Sequence, residues 1–270
     1  VILPVALTVA GSDSGGGAGM QADLKTFYVC RVHGTSAITS VTFQNTTGVQ
    51  GRLDLPAEVV RRQLEAILED FPVRAAKTGM LANVSIIRAV AKMVRDYQLR
   101  KLVVDPVMVS GTGHALIDEE AVETLKREIL PLALVVTPNL LEAERLTGLA
   151  IGRPSDIQEA ARELLKMGPA AVVIKGGHWP GMRKEAIDLF CTPETKKELA
   201  APMITTGNTH GTGCVFSAAI AAFLARDWEL ERAVRAAKLV VTGAIRNSLA
   251  IGSGQGPVHP VPVDENIDDL

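Results

Sequence analysis

The sequence predicts an α/β fold, a mostly parallel central sheet with helices on both faces and a small antiparallel hairpin. Three observations predict it. Short apolar or β-branched runs alternate with helical patterns about six times along the chain, as in repeated strand–helix–strand units. Polar or glycine-rich groups recur just beyond the ends of those strands, which in such a sheet places them along one edge. One helical stretch, Val215-Phe216-Ser217-Ala218-Ala219-Ile220-Ala221-Ala222-Phe223-Leu224, is small and apolar all round. No formally charged side chain occurs between residues 199 and 225, so that helix belongs in the interior.

The bulk properties narrow the class. A chain of 270 residues suits one large domain or two small ones, and no repeat, low-complexity segment or linker divides it. We therefore expect a single domain over residues 1–270. Hydrophobic residues make up 47% and charged ones 21%, ordinary for a soluble globular enzyme. A net charge of -2 offers nothing to nucleic acid or to an anionic membrane, so neither is expected as a partner. Cys30, Cys191 and Cys214 are odd in number and have no metal-type spacing, which makes a reducing cytoplasm the expected location. Val1-Ile2-Leu3-Pro4 lacks the basic flank of a signal peptide, and no apolar run approaches the roughly 20 residues of a membrane span.

Along the chain, residues 5–10 read as a short buried strand. Gly11-Ser12-Asp13-Ser14-Gly15-Gly16-Gly17-Ala18-Gly19 follows, then a helix over 20–31. The loop matches neither phosphate-binding fingerprint: no Lys-Ser/Thr follows it, and Met20 stands where GxGxxG needs glycine. Five glycines exceed what a tight turn needs, which favours close approach of a ligand. Residues 35–43 form a second strand, and residues 44–48 an uncharged polar loop in which Gln44 suits either a heterocycle or solvent. A helix starts at Pro56, with Val59, Val60, Leu64, Ile67 and Leu68 on one face. Then come a strand over 73–78 ending in Gly79-Met80, a helix over 83–97 and a strand over 101–104. Asp105-Pro106 closes that strand. It is either a turn or a carboxylate placed where open α/β sheets bind ligands.

A helix over 118–130 and a strand over 132–136 lead to Thr137-Pro138-Asn139. Asn139 and Glu142 fit a capping box for the helix over 140–146. Ser155 to Gln158 fits another, for a helix reaching 167. The strand over 171–175 ends in Lys175, a candidate for phosphate, although a lysine there can also simply reach solvent. Gly176-Gly177 after it favours backbone contact with a ligand, and His178 reads as a loop residue. Residues 185–191 and 197–205 form the hairpin. Thr209-His210-Gly211-Thr212-Gly213-Cys214 then runs into the apolar helix, and a last helix spans 230–248. The first turn of a helix presents unpaired N–H groups with partial positive charge. Gly211 and Gly213 leave the approach open, so this turn reads as an anion hole with a thiol at its mouth, and the dipole is expected to lower the Cys214 pKa. Anion hole, lysine, carboxylates and the lack of a metal-type His/Cys cage together suit phosphoryl transfer from a nucleoside triphosphate.

Thr209-His210-Gly211-Thr212-Gly213-Cys214 resembles the signature of the ribokinase superfamily in its vitamin-kinase branch. Residues 10–19 with Gln21-Ala22-Asp23-Leu24-Lys25-Thr26 look like the opening of the hydroxymethylpyrimidine/phosphomethylpyrimidine kinases. So do Gln44-Asn45-Thr46, Lys77-Thr78-Gly79-Met80, Asp105-Pro106-Val107-Met108, Thr137-Pro138-Asn139 and Ile174-Lys175-Gly176-Gly177-His178, in family order across residues 5–250. The resemblance implies a ribokinase-like kinase of thiamine biosynthesis. Such an enzyme uses ATP and Mg²⁺ to phosphorylate 4-amino-5-hydroxymethyl-2-methylpyrimidine and then its monophosphate. It also allows a monovalent cation and suggests a homodimer.

By motif, Gln44 would bond the aminopyrimidine, with Gly11, Ala18, Met80 and Val107 lining its pocket and Asp23 near the ring or supporting the glycine loop. Lys175, Asn139, Thr209 and Gly211 would hold ATP, and Glu142 and Asp105 would face the metal. Gly211, Gly213, Cys214 and Lys175 would form the catalytic set. Many superfamily members have Asp in place of Cys214. Phe43 is bulkier than the small residue expected beside Gln44, which would reshape the pocket, and the variable segment 108–114 assigns no role. Pyridoxal kinase is the nearest rival, and the Gly15-Gly16-Gly17 loop and Gln44 favour the pyrimidine. A non-catalytic vitamer sensor would have no need of Lys175, Glu142 and the anion hole. The failed fingerprint argues against a dinucleotide oxidoreductase.

Overall fold

The computed structural model describes residues 3–110, 113, 115–177, 184–262 and 267. His178, Gly111, Thr112 and His114 lie outside them. The strands, in chain order, are β1 (Val5–Asp13), β2 (His33–Asn45), β3 (Gly48–Asp54), β4 (Val73–Thr78), β5 (Leu102–Val104), β6 (Val135–Val136), β7 (Ala171–Ile174), β8 (Glu185–Cys191) and β9 (Lys196–Pro202). They form one sheet in the order β3-β2-β1-β4-β5-β6-β7-β8-β9. The pairs from β2 through β7 are parallel, and β3, β8 and β9 add antiparallel edges.

The helices are α1 (Gly19–Val29), α2 (Ala57–Leu68), α3 (Val84–Asp96), α4 (Glu119–Glu128), α5 (Leu140–Thr147), α6 (Pro154–Lys166), α7 (Thr212–Ala225) and α8 (Leu230–Arg246). They cover both sides of the sheet. Because a strand's side chains alternate, Leu102 and Val104 join the core beneath α2 to α6, while Val103 joins that beneath α1, α7 and α8. Central strands covered on both faces must be apolar at every position, and β5, β6 and β7 are. The helix α7 is buried from Val215 to Ala225, between the sheet, α1 and α8. Among the described residues, no helix is long and apolar enough to cross a membrane.

Four boundaries differ from the sequence reading. The first strand runs on to Asp13. Its register with β2 shifts between Ala10 and Ser12, after which Ser12 and Asp13 pair with Val41 and Thr42. Gln44 and Asn45 end β2 rather than lying in a loop, and β3 returns as an antiparallel edge strand that the sequence reading missed. The turn is set by Asn45, whose Oδ1 accepts from Thr47 N–H at 2.9 Å. The strand expected from 132 starts only at Val135, because a 3-10 turn (Leu130–Leu132) occupies the approach. The helix α6 is capped two residues earlier than expected, at Arg153. Pro154 takes the first helical position and Asp156 accepts from Arg153 N–H at 2.9 Å, so Ser155 is already helical.

Candidate active site

The strand ends of β1, β2, β4, β5, β6 and β7 and the start of α7 enclose one cavity of about 550 Å³. That is the size of a small-molecule site. At one end lies the α7 N-terminus. Gly211 precedes the helix at φ +85°, and a Cβ there would stand 1.9 Å from the carbonyl oxygen of Gly17. Only glycine fits, and the loops after β1 and before α7 therefore touch backbone to backbone. A Cβ on Gly213 would lie 3.1 Å from Lys175 Nζ and 3.6 Å from Asp105 Oδ2, so this turn opens onto the charged groups.

Those groups come from three strand tips. Lys175 Nζ donates to Asp105 Oδ1 at 2.8 Å and stands 4.0 Å from Glu142 Oε2. The Ser217 hydroxyl on α7 lies 3.1 Å from the other Asp105 oxygen. Burial alone would raise the Asp105 pKa, but Lys175, Lys77 and the hydrogen bonds outweigh it and hold the carboxyl below its ordinary range. For Lys175 the desolvation cost is outweighed by Asp105 and Glu142, and the ammonium is held above its ordinary range. For Glu142, attraction to Lys175 and the backbone hydrogen bonds only partly compensate. Its burial dominates, with Asp105 repelling it as well, and it is pushed up to about 7. The capping box is present: Asn139 Oδ1 accepts from Glu142 N–H and Glu142 Oε2 from Asn139 N–H, each at 2.8 Å. Both residues also line the cavity, so capping and site readings hold together.

Cys214 also faces the cavity and is half-buried, but its thiol differs from expectation. A helix terminus contributes about 1 kcal/mol, or under one pKa unit, whereas burial can shift a group by several. Burial wins, and the thiol is pushed up to about 11. The expected lowering of its pKa is corrected to a rise, which leaves the thiol neutral at pH 7.

Asp23 is the second correction. It is fully buried and does not line the cavity. Both its oxygens accept from Lys77 Nζ at 2.9 Å, and one also accepts from the Thr8 hydroxyl at 2.6 Å. Burial raises the Asp23 carboxyl, yet an ammonium shared by both oxygens favours the charged pair. The Lys77 ammonium is itself desolvated, and attraction to Asp23 more than offsets this and holds it above its ordinary range. Asp23 thus acts behind the wall of the cavity, through Lys77, which does line it.

Gly11, Ala18, Gln44, Met80 and Val107 line the same cavity. A Cβ on Gly11 would press on Met80 Sδ at 3.1 Å. Thr42 Oγ1 lies 3.1 Å from Gln44 Oε1, and Gln44 Nε2 lies 3.3 Å from His210 Nε2. The same His210 nitrogen is 2.9 Å from Asp13 Oδ2. Asp13 accepts from Gly15 N–H at 2.8 Å, Gly17 N–H at 3.0 Å and Ala18 N–H at 2.8 Å, which shapes the glycine loop. Burial would raise Asp13, but the His210 bond and the loop N–H groups hold it below its ordinary range. Phe43 is exposed against Gly51 and does not reach the cavity, so its bulk leaves the pocket unchanged.

Gly213, Thr209, Asn139 and Asp105 line the cavity as well, so every residue assigned a site role from the sequence does so except Asp23. The sequence reading missed Asp13, Lys77, His210 and Gln255. Gln255 Nε2 donates to Thr209 Oγ1 at 2.6 Å from the C-terminal segment. Asp13 and Lys77 carried the signal that singled out Asp105 and Lys175, a charge at the carboxyl end of a parallel strand. Among the described residues, no group of three or more His, Cys, Asp or Glu could cage a metal ion.

A cavity that brings a helix N-terminus, a lysine and two carboxylates together at the strand ends of this sheet has the architecture of a ribokinase-like small-molecule kinase. The chain belongs to the phosphomethylpyrimidine kinase family, whose family model matches residues 13–259. It is 46% identical over 254 residues to the hydroxymethylpyrimidine/phosphomethylpyrimidine kinase of Bacillus subtilis, covering 94% of this chain and 93% of that one. It is 45% identical over 263 residues to the thiamine biosynthesis bifunctional protein of Geobacter sulfurreducens. There it covers 97% of this chain but spans about half of the relative, 53% of its length. Two solved structures resemble it closely. The ADP complex of Bacillus subtilis pyridoxal kinase matches with a TM-score of 0.88 and 39% identity, over 96% of this chain and 98% of that one. The phosphomethylpyrimidine kinase of Clostridium difficile matches with a TM-score of 0.79 and 40% identity, over 90% and 99%.

Proposed function

We propose that this kinase transfers the γ-phosphoryl group of ATP to the hydroxymethyl group of 4-amino-5-hydroxymethyl-2-methylpyrimidine. It then phosphorylates the resulting monophosphate to the diphosphate used in thiamine biosynthesis. The observation that carries this reading is that one cavity brings two sets of residues together. Gly11, Ala18, Gln44, Met80 and Val107 line it together with Lys175, Gly211, Gly213 and Cys214. The family relatives named for this activity support it.

In this reading Gln44 bonds the amino-bearing edge of the pyrimidine, while Met80 and Val107 pack on its faces. Lys175, Asn139, Thr209 and Gly211 hold the phosphates of ATP. The N–H groups at the start of α7 receive the charge that builds up on the transferring group, so catalysis rests on positioning and electrostatics. Cys214 is neutral at pH 7, and we assign it to shaping the site beside the acceptor hydroxyl, not to removing its proton. Asp105 and Glu142 fit Mg²⁺. They are two carboxylates on one wall, without the cage of a tightly held ion, which suits a metal that keeps several waters and binds with substrate phosphates. Bound there, Mg²⁺ would neutralise phosphate charge.

The unbroken sheet supports treating residues 1–270 as one kinase domain. Phe43 and Leu53, exposed on one face of the β2–β3 hairpin, support a homodimer. We place the enzyme in the cytoplasm on the absence of paired cysteines. Pyridoxal phosphorylation is the second reading, supported by likeness to a solved pyridoxal kinase. The test is a panel: the pyrimidine alcohol, its monophosphate and pyridoxal, each with ATP and Mg²⁺, compared by kcat/KM. We expect both pyrimidines to exceed pyridoxal. Turnover of pyridoxal alone would overturn the assignment. Tight pyrimidine binding with no turnover would point to a sensor.

A further inference from the structure

A buried ion pair lies outside the cavity and has no part in the chemistry above. Lys238 Nζ, from α8, donates to Asp188 Oδ2, from β8, at 2.6 Å, and both residues are under 10% exposed. Neither lines the cavity. The second Asp188 oxygen is also occupied: Oδ1 accepts from the N–H of Gly176 at 3.0 Å. Gly176 directly follows Lys175.

The sheet explains why a side chain is needed there. The antiparallel ladder of β7 and β8 pairs Val172 with Cys191, Val173 with Phe190 and Ile174 with Leu189, and stops. Continued by one pair, it would set Lys175 opposite Asp188. Lys175 instead bridges to the other side, opposite Asn139, and donates its N–H to Pro138 O at 2.8 Å. The chain therefore leaves β8 at this residue, and Gly177 turns it away at φ +42°. Gly176 is buried, so its N–H has to find an acceptor after the ladder ends. Asp188 supplies one from its side chain, and Lys238 compensates the charge that this acceptor brings into the core.

We infer that Asp188, held by Lys238, is a positioning residue for the nucleotide half of the site. It fixes the point where β7 ends, and with it the direction in which Lys175 is presented to the cavity. This rests on the reading that Lys175 holds ATP phosphate.

The test compares two double variants. D188N/K238M and D188L/K238M both remove the ion pair without leaving a lone buried charge. They differ in whether residue 188 can accept from Gly176 N–H. Loss of that acceptor should raise KM for ATP about tenfold in D188L/K238M, while KM for the pyrimidine alcohol stays within about twofold. D188N/K238M should keep both constants within about threefold of wild type. Equal effects of the two variants on KM for ATP, or a parallel rise in both KM values, would overturn the inference, since either is what general loosening of the α8–β8 contact would give. If D188L/K238M does not fold, D188A/K238M carries the same comparison. Lys175→Met separates the two levels. If it leaves KM for ATP unchanged, the phosphate reading fails. If it raises that KM while D188L/K238M does not, only the positioning inference fails.

Discussion

Cys214 and Glu142 share one cause and have opposite consequences. Both are groups whose charged form is disfavoured by burial, so the thiol is pushed up to about 11 and the carboxyl up to about 7. At pH 7 only about one Cys214 in ten thousand is a thiolate. Alkylation of Cys214 by iodoacetamide should therefore be slow at neutral pH and rise about tenfold per pH unit through pH 9. Cys214→Ala should keep at least roughly a tenth of kcat. An alkylation midpoint near pH 7, or a thousandfold loss of kcat, would instead assign the thiol as the base. For Glu142 the sign follows from proton counting. The ordinary value is 4.5, so between pH 4.5 and 7 the folded chain keeps a proton that the unfolded chain has lost. Stability from this group falls as pH rises through that window, by about 3 kcal/mol in all, and the cost is fully present above pH 7. Glu142→Gln removes that cost and still caps α5. Urea denaturation should find E142Q more stable than wild type at pH 8 and close to it at pH 4. A difference that does not change with pH would show that Glu142 carries no raised pKa.

At the scale of the element, the N-terminus of α7 sits between the glycine loop after β1 and Lys175. Gly211 and Gly213 are both glycines of this turn, but their surroundings differ. A side chain at 211 meets a fixed carbonyl, that of Gly17, in a left-handed backbone; one at 213 meets the movable end of Lys175. Gly211→Ala should cost about 3 kcal/mol of stability and abolish turnover. Gly213→Ala should fold normally and raise KM for ATP about tenfold, by displacing the Lys175 ammonium. Thermal denaturation and steady-state kinetics on both variants check this, and matching losses of stability would refute it. The elements that the sequence reading misplaced also have local reasons. The β2–β3 hairpin escaped notice because β3 is a half-exposed edge strand carrying Gln50, Arg52 and Asp54, so neither an apolar run nor a clean alternation marks it. Strand β1 looked finished at Ala10 because a bulge and polar residues follow, although the ladder resumes. The buried strands and α7 were legible because burial on all sides leaves no choice of composition.

For the whole molecule, the alternation of strands and helices carried the parallel sheet, and strand ends carried the site, because the rule that ligands gather at one sheet edge needs no coordinates. What the sequence could not supply was depth. Asp23, Lys77 and Cys214 are ordinary letters in a motif. Only packing reveals that Asp23 stands behind Lys77 and that burial overrides the helix dipole at Cys214. Contacts across long separations were equally hidden, such as Asp13 with His210 and Asp188 with Gly176. The central claim is that this one cavity performs two successive phosphoryl transfers on a pyrimidine. A phosphorus NMR time course, started from the pyrimidine alcohol with excess ATP and Mg²⁺, tests it most directly. The monophosphate signal should rise first and then give way to the diphosphate, with one ADP formed at each step. A reaction that never leaves the alcohol, or that stops at the monophosphate however long it runs, would contradict the claim.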